Sequence, residues 1–408
     1  MKTIRRLIYM PSRGALGIAA LLLTAACAVT EHQESSSRHV SFDAYRQDTV
    51  QLLQQRRSFQ GVDHAAEIAW NAPYEWRPTG QPRKGVLLVH GLGDSPWSFH
   101  DIGQQLADQG FLVRTVLLPG HGTRPEDMLD VTLEDWRRVV AEQVQALSDD
   151  VDQVYLGGFS TGANLVLDYA YAHPDVEGLL LFSPAFMSNS SFDWLAPLIS
   201  WARPWLLAPD SGRPMQTTVR YMTVPTNGFA QFYRSSRSVR QAMHSAPYDK
   251  PVLMVVAEND SVLDSNYLSN VFTTHFTHPS SRLIWYGNER DLFQQDPRVL
   301  VRSDYLPELQ ISQFSHMGVL FSPGNDLYGA NGSLRMCWNG QAEAARAECE
   351  QGAPVWFSDW GYIEPGKIHA RLTFNPYFDW QNQIMAQVLD ESANELAQQR
   401  PSVRTALD

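Results

Sequence analysis

The pentapeptide Gly158-Phe159-Ser160-Thr161-Gly162 is the segment of the chain whose residue types and spacing best suit covalent chemistry. It lies between the apolar run 154–156 and the helix-like stretch 163–170. A strand that turns abruptly into a helix forces its central residue into a strained backbone, and flanking glycines remove side chains that would collide there. Ser160 would then project alone, as a nucleophile must. A glycine-rich turn with an ordinary serine explains the pentapeptide equally well. The residues around it must therefore show whether Ser160 is a nucleophile.

The donors for an oxyanion can be sought at the ends of neighbouring strands. A serine nucleophile needs a base, a group that orients the base, and such donors, and loops that follow parallel strands emerge on one edge of a sheet. His90-Gly91-Leu92-Gly93-Asp94 follows the apolar run 86–89. The backbone N–H groups of Leu92 and Thr161 are the predicted donors, and His90 is expected to make a structural hydrogen bond. A tight turn between strand and helix would equally explain the two glycines.

The predicted orienting acid is Asp260. The apolar run 252–257 ends in Glu258-Asn259-Asp260-Ser261-Val262, which places Asp260 inside the turn that follows the strand. A short carboxylate at this position can face inward, towards the nucleophile. Glu258 and Asp264 remain rivals, the first expected on the strand and the second already in the next helix.

The predicted base is His316, one of twelve histidines. It follows the alternating run 309–314, which is a strand candidate, and so would return to the edge that carries the nucleophile. His369 is the reserve candidate. His275 and His278 close a helix that runs away from this edge, and we expect them on the surface at the opposite edge of the sheet.

Apolar runs alternate with helical periods over most of the chain, which predicts the α/β class with a mostly parallel sheet covered by helices on both faces. The predicted strands are 86–89, 111–118, 151–157, 178–182 and 251–257, and the predicted helices are 132–148, 161–172 and 263–275.

Other segments depart from this alternation. Residues 68–77 are predicted as one or two edge strands, preceded by an outer helix around residues 42–53. Residues 185–248 are rich in Trp and Phe and are predicted as a cap over the carboxyl ends of the strands, where ligands bind in open α/β sheets; an aromatic stripe of this kind also suits an ordinary core. Residues 283–286 are another strand candidate, residues 319–375 are expected to be loop-rich, and residues 380–397 to form a closing helix.

The order Ser160, Asp260, His316 is the chain order of α/β-hydrolase triads, and the chain resembles that superfamily. Within it, the chain is similar to monoacylglycerol lipases and small bacterial carboxylesterases. The segment Leu118-Pro119-Gly120-His121-Gly122-Thr123 resembles a loop of that branch, and Thr132-Leu133-Glu134-Asp135-Trp136 resembles the start of its following helix. The resemblance covers about residues 84–200 and 248–320.

The resemblance implies ester hydrolysis through an acyl-enzyme, a cap over the acyl pocket, and no cofactor or metal. The interval from Asp260 to His316 is longer than in compact members, so an insertion is expected around residues 282–305. Apolar acyl esters are the expected substrates. A thioesterase, an amidase or a peptidase would use the same triad, and a catalytically silent envelope binding protein could keep the same fold.

Residues 1–27 are predicted to be an export segment with a lipoprotein processing site. Four basic residues precede an apolar stretch that is short for a membrane span. Leu23-Thr24-Ala25-Ala26-Cys27 is similar to a bacterial lipoprotein site, in which Cys27 would carry the lipid and hold the protein on a cell-envelope membrane, facing the periplasm or the exterior. Cleavage beside Ala26 or Ala28 would instead release a periplasmic or secreted protein.

The net charge and the cysteines bear on the partners of the protein and on its covalent cross-links. The formal net charge of −12 and the lack of a basic cluster beyond the export segment argue against nucleic acid as a partner. Cys337 and Cys349 are predicted to form a disulfide, because no histidine stands between or beside them to complete a metal site. The predicted organisation is export segment 1–27, tether and extension 28–83, core 84–184, cap 185–248, and second core part 249–408. The oligomeric state is left open.

Overall fold

A computed structural model describes residues 41–209, 213–288 and 293–399 of the chain. The predicted export segment, including Cys27, lies outside these residues. Among the described residues, eight strands form the central sheet in the order β1-β3-β2-β4-β5-β6-β7-β8, with β1 antiparallel to β3 and every other neighbouring pair parallel. The strands are β1 (Glu75–Trp76), β2 (Lys84–Val89), β3 (Phe111–Val116), β4 (Gln153–Phe159), β5 (Val176–Phe182), β6 (Val252–Ala257), β7 (Arg282–Tyr286) and β8 (Val299–Arg302).

Helices cover both faces of this sheet. They are α1 (Phe42–Arg56), α2 (His64–Asn71), α3 (His100–Asp108), α4 (Leu133–Ser148), α5 (Thr161–Ala172), α6 (Ala196–Ile199), α7 (Thr226–Ser245), α8 (Ser265–His275), α9 (Glu343–Glu350) and α10 (Phe378–Gln399). The architecture is the α/β-hydrolase fold, as the sequence predicted. In the described part of the chain, no helix combines the length and the apolar character that crossing a membrane requires.

The central strands are largely apolar because they are buried on both sides. In β2, Leu87 and Val89 pack in one core with α4, α5 and α8, whereas Val86 and Leu88 pack in a second core with α3 and α10. Successive side chains of a strand point to opposite faces, so a two-sided core demands an unbroken apolar run. This burial explains why the sequence predicted these strands so directly.

Local signals fix where the helices that flank the site begin. Thr132 caps α4 in a reciprocal capping box with Asp135. Asp264 caps α8 and accepts a hydrogen bond from the Tyr267 N–H at 2.9 Å. Each cap satisfies backbone N–H groups that a helix leaves unpaired at its start, so both helices begin immediately after the loops that leave the sheet.

One sequence prediction was partly right and another was wrong. Of residues 68–77, the first four belong to α2, which Asp63 caps, and Glu75–Trp76 form the edge strand β1. Residues 309–314 do not form a strand. Gln310 adopts a left-handed backbone with φ of 55°, and the edge of the sheet is already occupied by β8. His316 therefore reaches the site on a loop.

Two long segments connect or follow the strands. Residues 183–251, between β5 and β6, hold the short α6 and the long α7, which packs against α5. After β8, the chain is largely irregular up to α10. It includes α9, a small parallel pair formed by β9 (Trp356–Ser358) and β10 (His369–Arg371), and a disulfide between Cys337 and Cys349.

Candidate active site

Ser160 lies in a strained turn between β4 and α5. Its φ of 54° and ψ of −117° are rare for a residue with a side chain. The flanking glycines are required by contact: a Cβ added at Gly162 would lie 1.9 Å from the Val89 carbonyl oxygen, and one at Gly158 would lie 2.4 Å from the Ala163 nitrogen. The turn thus has the geometry of a nucleophile elbow, and it leaves the Ser160 side chain at the carboxyl edge of the sheet.

The loop after β2 packs directly against this turn. A Cβ added at Gly91 would lie 3.1 Å from the Ser160 Cβ, so a side chain at this position would crowd the elbow. The Asp94 N–H donates to the Gly91 oxygen at 3.2 Å and closes a tight turn around Leu92. Neither the Leu92 N–H nor the Thr161 N–H donates a hydrogen bond to any described residue. Both amides are therefore available to an oxyanion.

Asp260 and His316 form a hydrogen-bonded pair on loops after β6 and β8. His316 Nδ1 lies 2.7 Å from Asp260 Oδ2, and the Asp260 side chain is fully buried. The other carboxylate oxygen, Oδ1, accepts the N–H groups of Val262 at 2.8 Å and Leu263 at 3.1 Å. These bonds hold the carboxylate in one orientation, so Asp260 can fix the tautomer of the imidazole and stabilise its protonated form.

His316 lies beside the serine turn. Its ring centroid is 4.9 Å from that of Phe159, the residue before Ser160. The Ser183 hydroxyl donates to the His316 carbonyl at 2.9 Å, and the Ser160 N–H donates to Phe182 at 3.0 Å. In the described residues the Ser160 hydroxyl makes no hydrogen bond. Catalytic hydrogen bonds are often long in a free enzyme and tighten when substrate binds.

The rival residues have other partners. Glu258 accepts the Asn288 N–H at 2.6 Å, and Asp264 is the cap of α8. His369 is buried on β10 and faces Glu364 at 3.7 Å, and no described contact joins it to the Asp260–His316 pair. Burial lowers the pKa of His369, with Glu364 partly opposing that effect.

Three other histidines had predicted places. His275 ends α8 and His278 precedes β7, so both are at the edge of the sheet opposite the site, as predicted, but both are half-buried and not on the surface. His90 Nε2 accepts the Leu118 N–H at 3.1 Å, and burial, together with the nearby His121, holds the pKa of His90 well below its ordinary value. His90 is therefore a neutral structural residue.

Sequence reasoning missed the residues that support the site from distant segments. His121 Nε2 accepts the Gly93 N–H at 3.0 Å and so holds the loop that carries Leu92. Asp359, on the loop after β9, accepts the N–H of Ser261, the residue after Asp260. No local pattern marks Asp359. For His121, the signal was the segment 118–123, which the resemblance singled out without assigning the histidine a role.

The fold and site define an α/β-hydrolase, and comparison with known proteins agrees. A family model described as serine aminopeptidase, S33, matches residues 80–288, just over half of the chain. The chain belongs to this family of hydrolases.

Several characterised relatives are lipases or esterases. The chain is 37% identical over 101 residues to the thermostable monoacylglycerol lipase of Bacillus sp. (strain H-257), a match that covers 25% of this chain and 40% of the relative. It is 22% identical over 225 residues to the carboxylesterase of Bacillus subtilis (strain 168), a match that covers 52% of this chain and 90% of the relative. Among solved structures, a monoacylglycerol lipase of Paleococcus ferrophilus superposes with a TM-score of 0.42 and 19% identity. The match covers 52% of this chain and 87% of that protein.

Proposed function

We propose that the chain is a serine hydrolase that cleaves carboxylic esters through an acyl-enzyme. The observation that carries this proposal is the Asp260–His316 hydrogen bond of 2.7 Å beside the strained turn of Ser160. An imidazole oriented in this way near a serine hydroxyl is the arrangement that activates a serine. The similarity to a monoacylglycerol lipase and a carboxylesterase supports an ester as the bond that is cleaved.

The mechanism follows from the roles of these groups. His316 Nε2 takes the proton of the Ser160 hydroxyl as Oγ attacks the acyl carbon, while Asp260 Oδ2 accepts the Nδ1 proton and stabilises the imidazolium. The tetrahedral oxyanion accepts the N–H groups of Leu92 and Thr161. The intermediate collapses, and the leaving alcohol takes the proton from Nε2. Water, deprotonated by the same imidazole, then releases the acid and restores Ser160.

Labelling by a fluorophosphonate tests the nucleophile. We expect the wild type to be labelled on one serine and Ser160→Ala to be unlabelled, with ester turnover reduced by about 10⁴- to 10⁶-fold. A wild type that resists labelling, or a Ser160→Ala variant that is labelled as well as the wild type, would reject the assignment.

A matched histidine pair tests the base. His316→Ala should lower the turnover of a nitrophenyl ester by about 10⁴-fold or more, whereas His369→Ala, at a buried position away from the site, is the control. If His369→Ala were inactive and His316→Ala active, the base would be His369.

Peptide cleavage is the second candidate, because the matching family is described as serine aminopeptidase. The same triad can attack an amide, so kinetic measurements must show whether the enzyme cleaves esters or peptide bonds. Comparison of short-chain and long-chain nitrophenyl esters with an aminoacyl nitroanilide separates the two. A kcat/KM for the anilide that exceeds those for the esters would favour the peptidase.

Export and a lipid anchor on Cys27 are a further part of the proposed function. The export-like residues 1–27 and the cysteine at their end support a cell-envelope location. Cys27→Ser should leave ester turnover in lysates intact and move the protein out of the membrane fraction. Equal membrane retention of wild type and Cys27→Ser would contradict lipidation and favour the periplasmic or secreted alternative.

A further inference from the structure

Three arginines from two distant segments meet beside the catalytic residues. Arg213 and Arg220 come from the segment between β5 and β6, and Arg371 ends β10; all three are half-buried. They are close enough to repel one another. Burial and then Arg220 lower the pKa of Arg213. Burial lowers the pKa of Arg371 to about 10; Asp359 partly opposes this effect, and Arg220 and Arg213 add to it. We call these three residues the arginine cluster.

Contacts locate the arginine cluster between the oxyanion loop and the catalytic base. Arg220 Nη1 donates to the Met317 sulfur at 3.0 Å, and Met317 is the residue after His316. On the other side, the N–H of Tyr221 donates to the Gly93 carbonyl at 2.6 Å, so the segment that carries Arg220 rests on the loop of Leu92. A substrate bound at Ser160 would therefore lie next to Arg220.

The guanidinium groups of the arginine cluster lack anionic partners. The Nε atoms of Arg213, Arg220 and Arg371 are buried and make no hydrogen bond in the described residues, and within that part of the chain none of the three forms an ion pair. Buried cations are normally held by hydrogen-bonded carboxylates, since desolvation is otherwise uncompensated. A thioether, the partner of Arg220, is a weak acceptor.

The nearby carboxylates offset the charge of the arginine cluster only in part. Asp260 holds His316. Asp359 accepts the N–H of Ser261, leaves its Oδ1 buried without a hydrogen bond, and raises the pKa of Arg371 against the effect of burial. Asp94 is the acidic neighbour of Arg220, yet burial raises its pKa and thus disfavours its charged form. These acids moderate the positive field at a distance, but none of them accepts a hydrogen bond from the Nε atoms of the arginine cluster.

We propose that the arginine cluster binds a carboxylate carried by the substrate, so that the enzyme prefers esters with an anionic group over neutral esters of equal length. This inference rests on the proposed function and specifies its substrate class. The planar fork of a guanidinium matches the two oxygens of a carboxylate. The same field would repel the α-ammonium group of a peptide, which favours the esterase over the aminopeptidase.

Esters matched in length but not in charge test the proposal. The mono-4-nitrophenyl esters of adipate and suberate end in a carboxylate, whereas 4-nitrophenyl hexanoate and octanoate end in a methyl group. We expect the wild type to have a higher kcat/KM for at least one anionic ester than for its neutral partner. Arg220→Gln should lower this anionic-to-neutral ratio by about 10- to 100-fold, the effect of removing a hydrogen bond to a charged group.

Three further variants sharpen the result. Arg371→Gln should lower the ratio in the same direction, and Arg220→Lys, which keeps the charge without the fork, should give a smaller loss. Arg237→Gln, exposed on α7, should keep the wild-type ratio. A cooperative thermal unfolding transition for each variant shows that it is folded.

Binding of free adipate separates the two hypotheses. Adipate at millimolar concentration should raise the Tm of the wild type, and this rise should shrink in Arg220→Gln. If the wild type hydrolyses no ester but adipate still stabilises it through Arg220, the proposed function fails and the carboxylate site stands. If hexanoate esters are hydrolysed, the anionic esters are not preferred, and adipate does not raise the Tm, the carboxylate site is refuted and the esterase stands.

Discussion

Acidification should destabilise the protein through His121, which supports the loop after β2. Its Nε2 accepts the Gly93 N–H at 3.0 Å, and its Nδ1 bonds to the Pro119 carbonyl at 3.2 Å. Complete burial lowers the pKa of His121 from 6.5 to about 4. A proton on Nε2 would point at the Gly93 N–H, which is also a donor, and the hydrogen bond would be lost. The folded state therefore keeps this imidazole neutral at pH values where an unfolded chain would protonate it.

The size of the effect follows from the two pKa values. Because the pKa of His121 is lower in the folded state, the unfolded chain binds more protons between pH 4 and 6.5, and stability rises with pH through this window. The contribution is fully present above pH 6.5 and is lost as the pH falls towards 4. At pH 5 the loss from His121 alone is about 2 kcal/mol relative to pH 8.

Urea unfolding of wild type and His121→Gln at pH 8 and pH 5 measures this loss. A glutamine amide oxygen can still accept the Gly93 N–H but does not titrate. The wild type should therefore lose about 2 kcal/mol more than His121→Gln between the two pH values. His244→Gln, at an exposed position on α7, is the control and should behave as the wild type. Equal losses in wild type and His121→Gln would refute the reasoning.

Other predictions concern the acid, the elbow and the disulfide. Asp260→Asn should lower kcat for a nitrophenyl ester by about 10³- to 10⁴-fold, with the loss seen in kcat rather than KM. Gly162→Ala places a methyl group against a backbone carbonyl of β2 and should cost about 3 kcal/mol or more by urea unfolding, whereas Gly324→Ala, where the methyl has room, should be nearly neutral. Cys337→Ser opens the loop closed by Cys349 and should cost about 3 kcal/mol, and dithiothreitol should produce the same loss in the wild type but none in the variant.

Patterns confined to a few consecutive residues were reliable guides to this fold. Strands buried on both faces must be apolar throughout, so β2, β4 and β6 appear as continuous runs. The elbow needs glycine on both sides of Ser160 because backbone atoms lie within 1.9 to 2.4 Å of any added Cβ. Parallel strands share one carboxyl edge, which is why Asp260 could be proposed from its position after a strand.

Prediction from local patterns failed where packing between distant segments determines the backbone conformation. Residues 309–314 alternate like a strand, but β8 already occupies the edge beside β7, so the alternation has no sheet to join. His316 was still selected, although it reaches the site by a loop and not from a strand. In residues 68–71, the helix that Asp63 caps took the place of the predicted strand, and only Glu75–Trp76 pair at the edge of the sheet.

The amino-acid sequence alone determined the parallel sheet, the strained serine turn and the order in which the candidate catalytic residues follow the strands, because each depends on contacts between close neighbours or on the direction of a strand. Only the tertiary structure decided which side chains surround them. His121, Asp359 and the arginine cluster come from segments far apart in the chain, most of them irregular, and a residue in an irregular segment carries no periodicity that would predict its neighbours. Charge and hydrogen bonding at the site depend on that convergence.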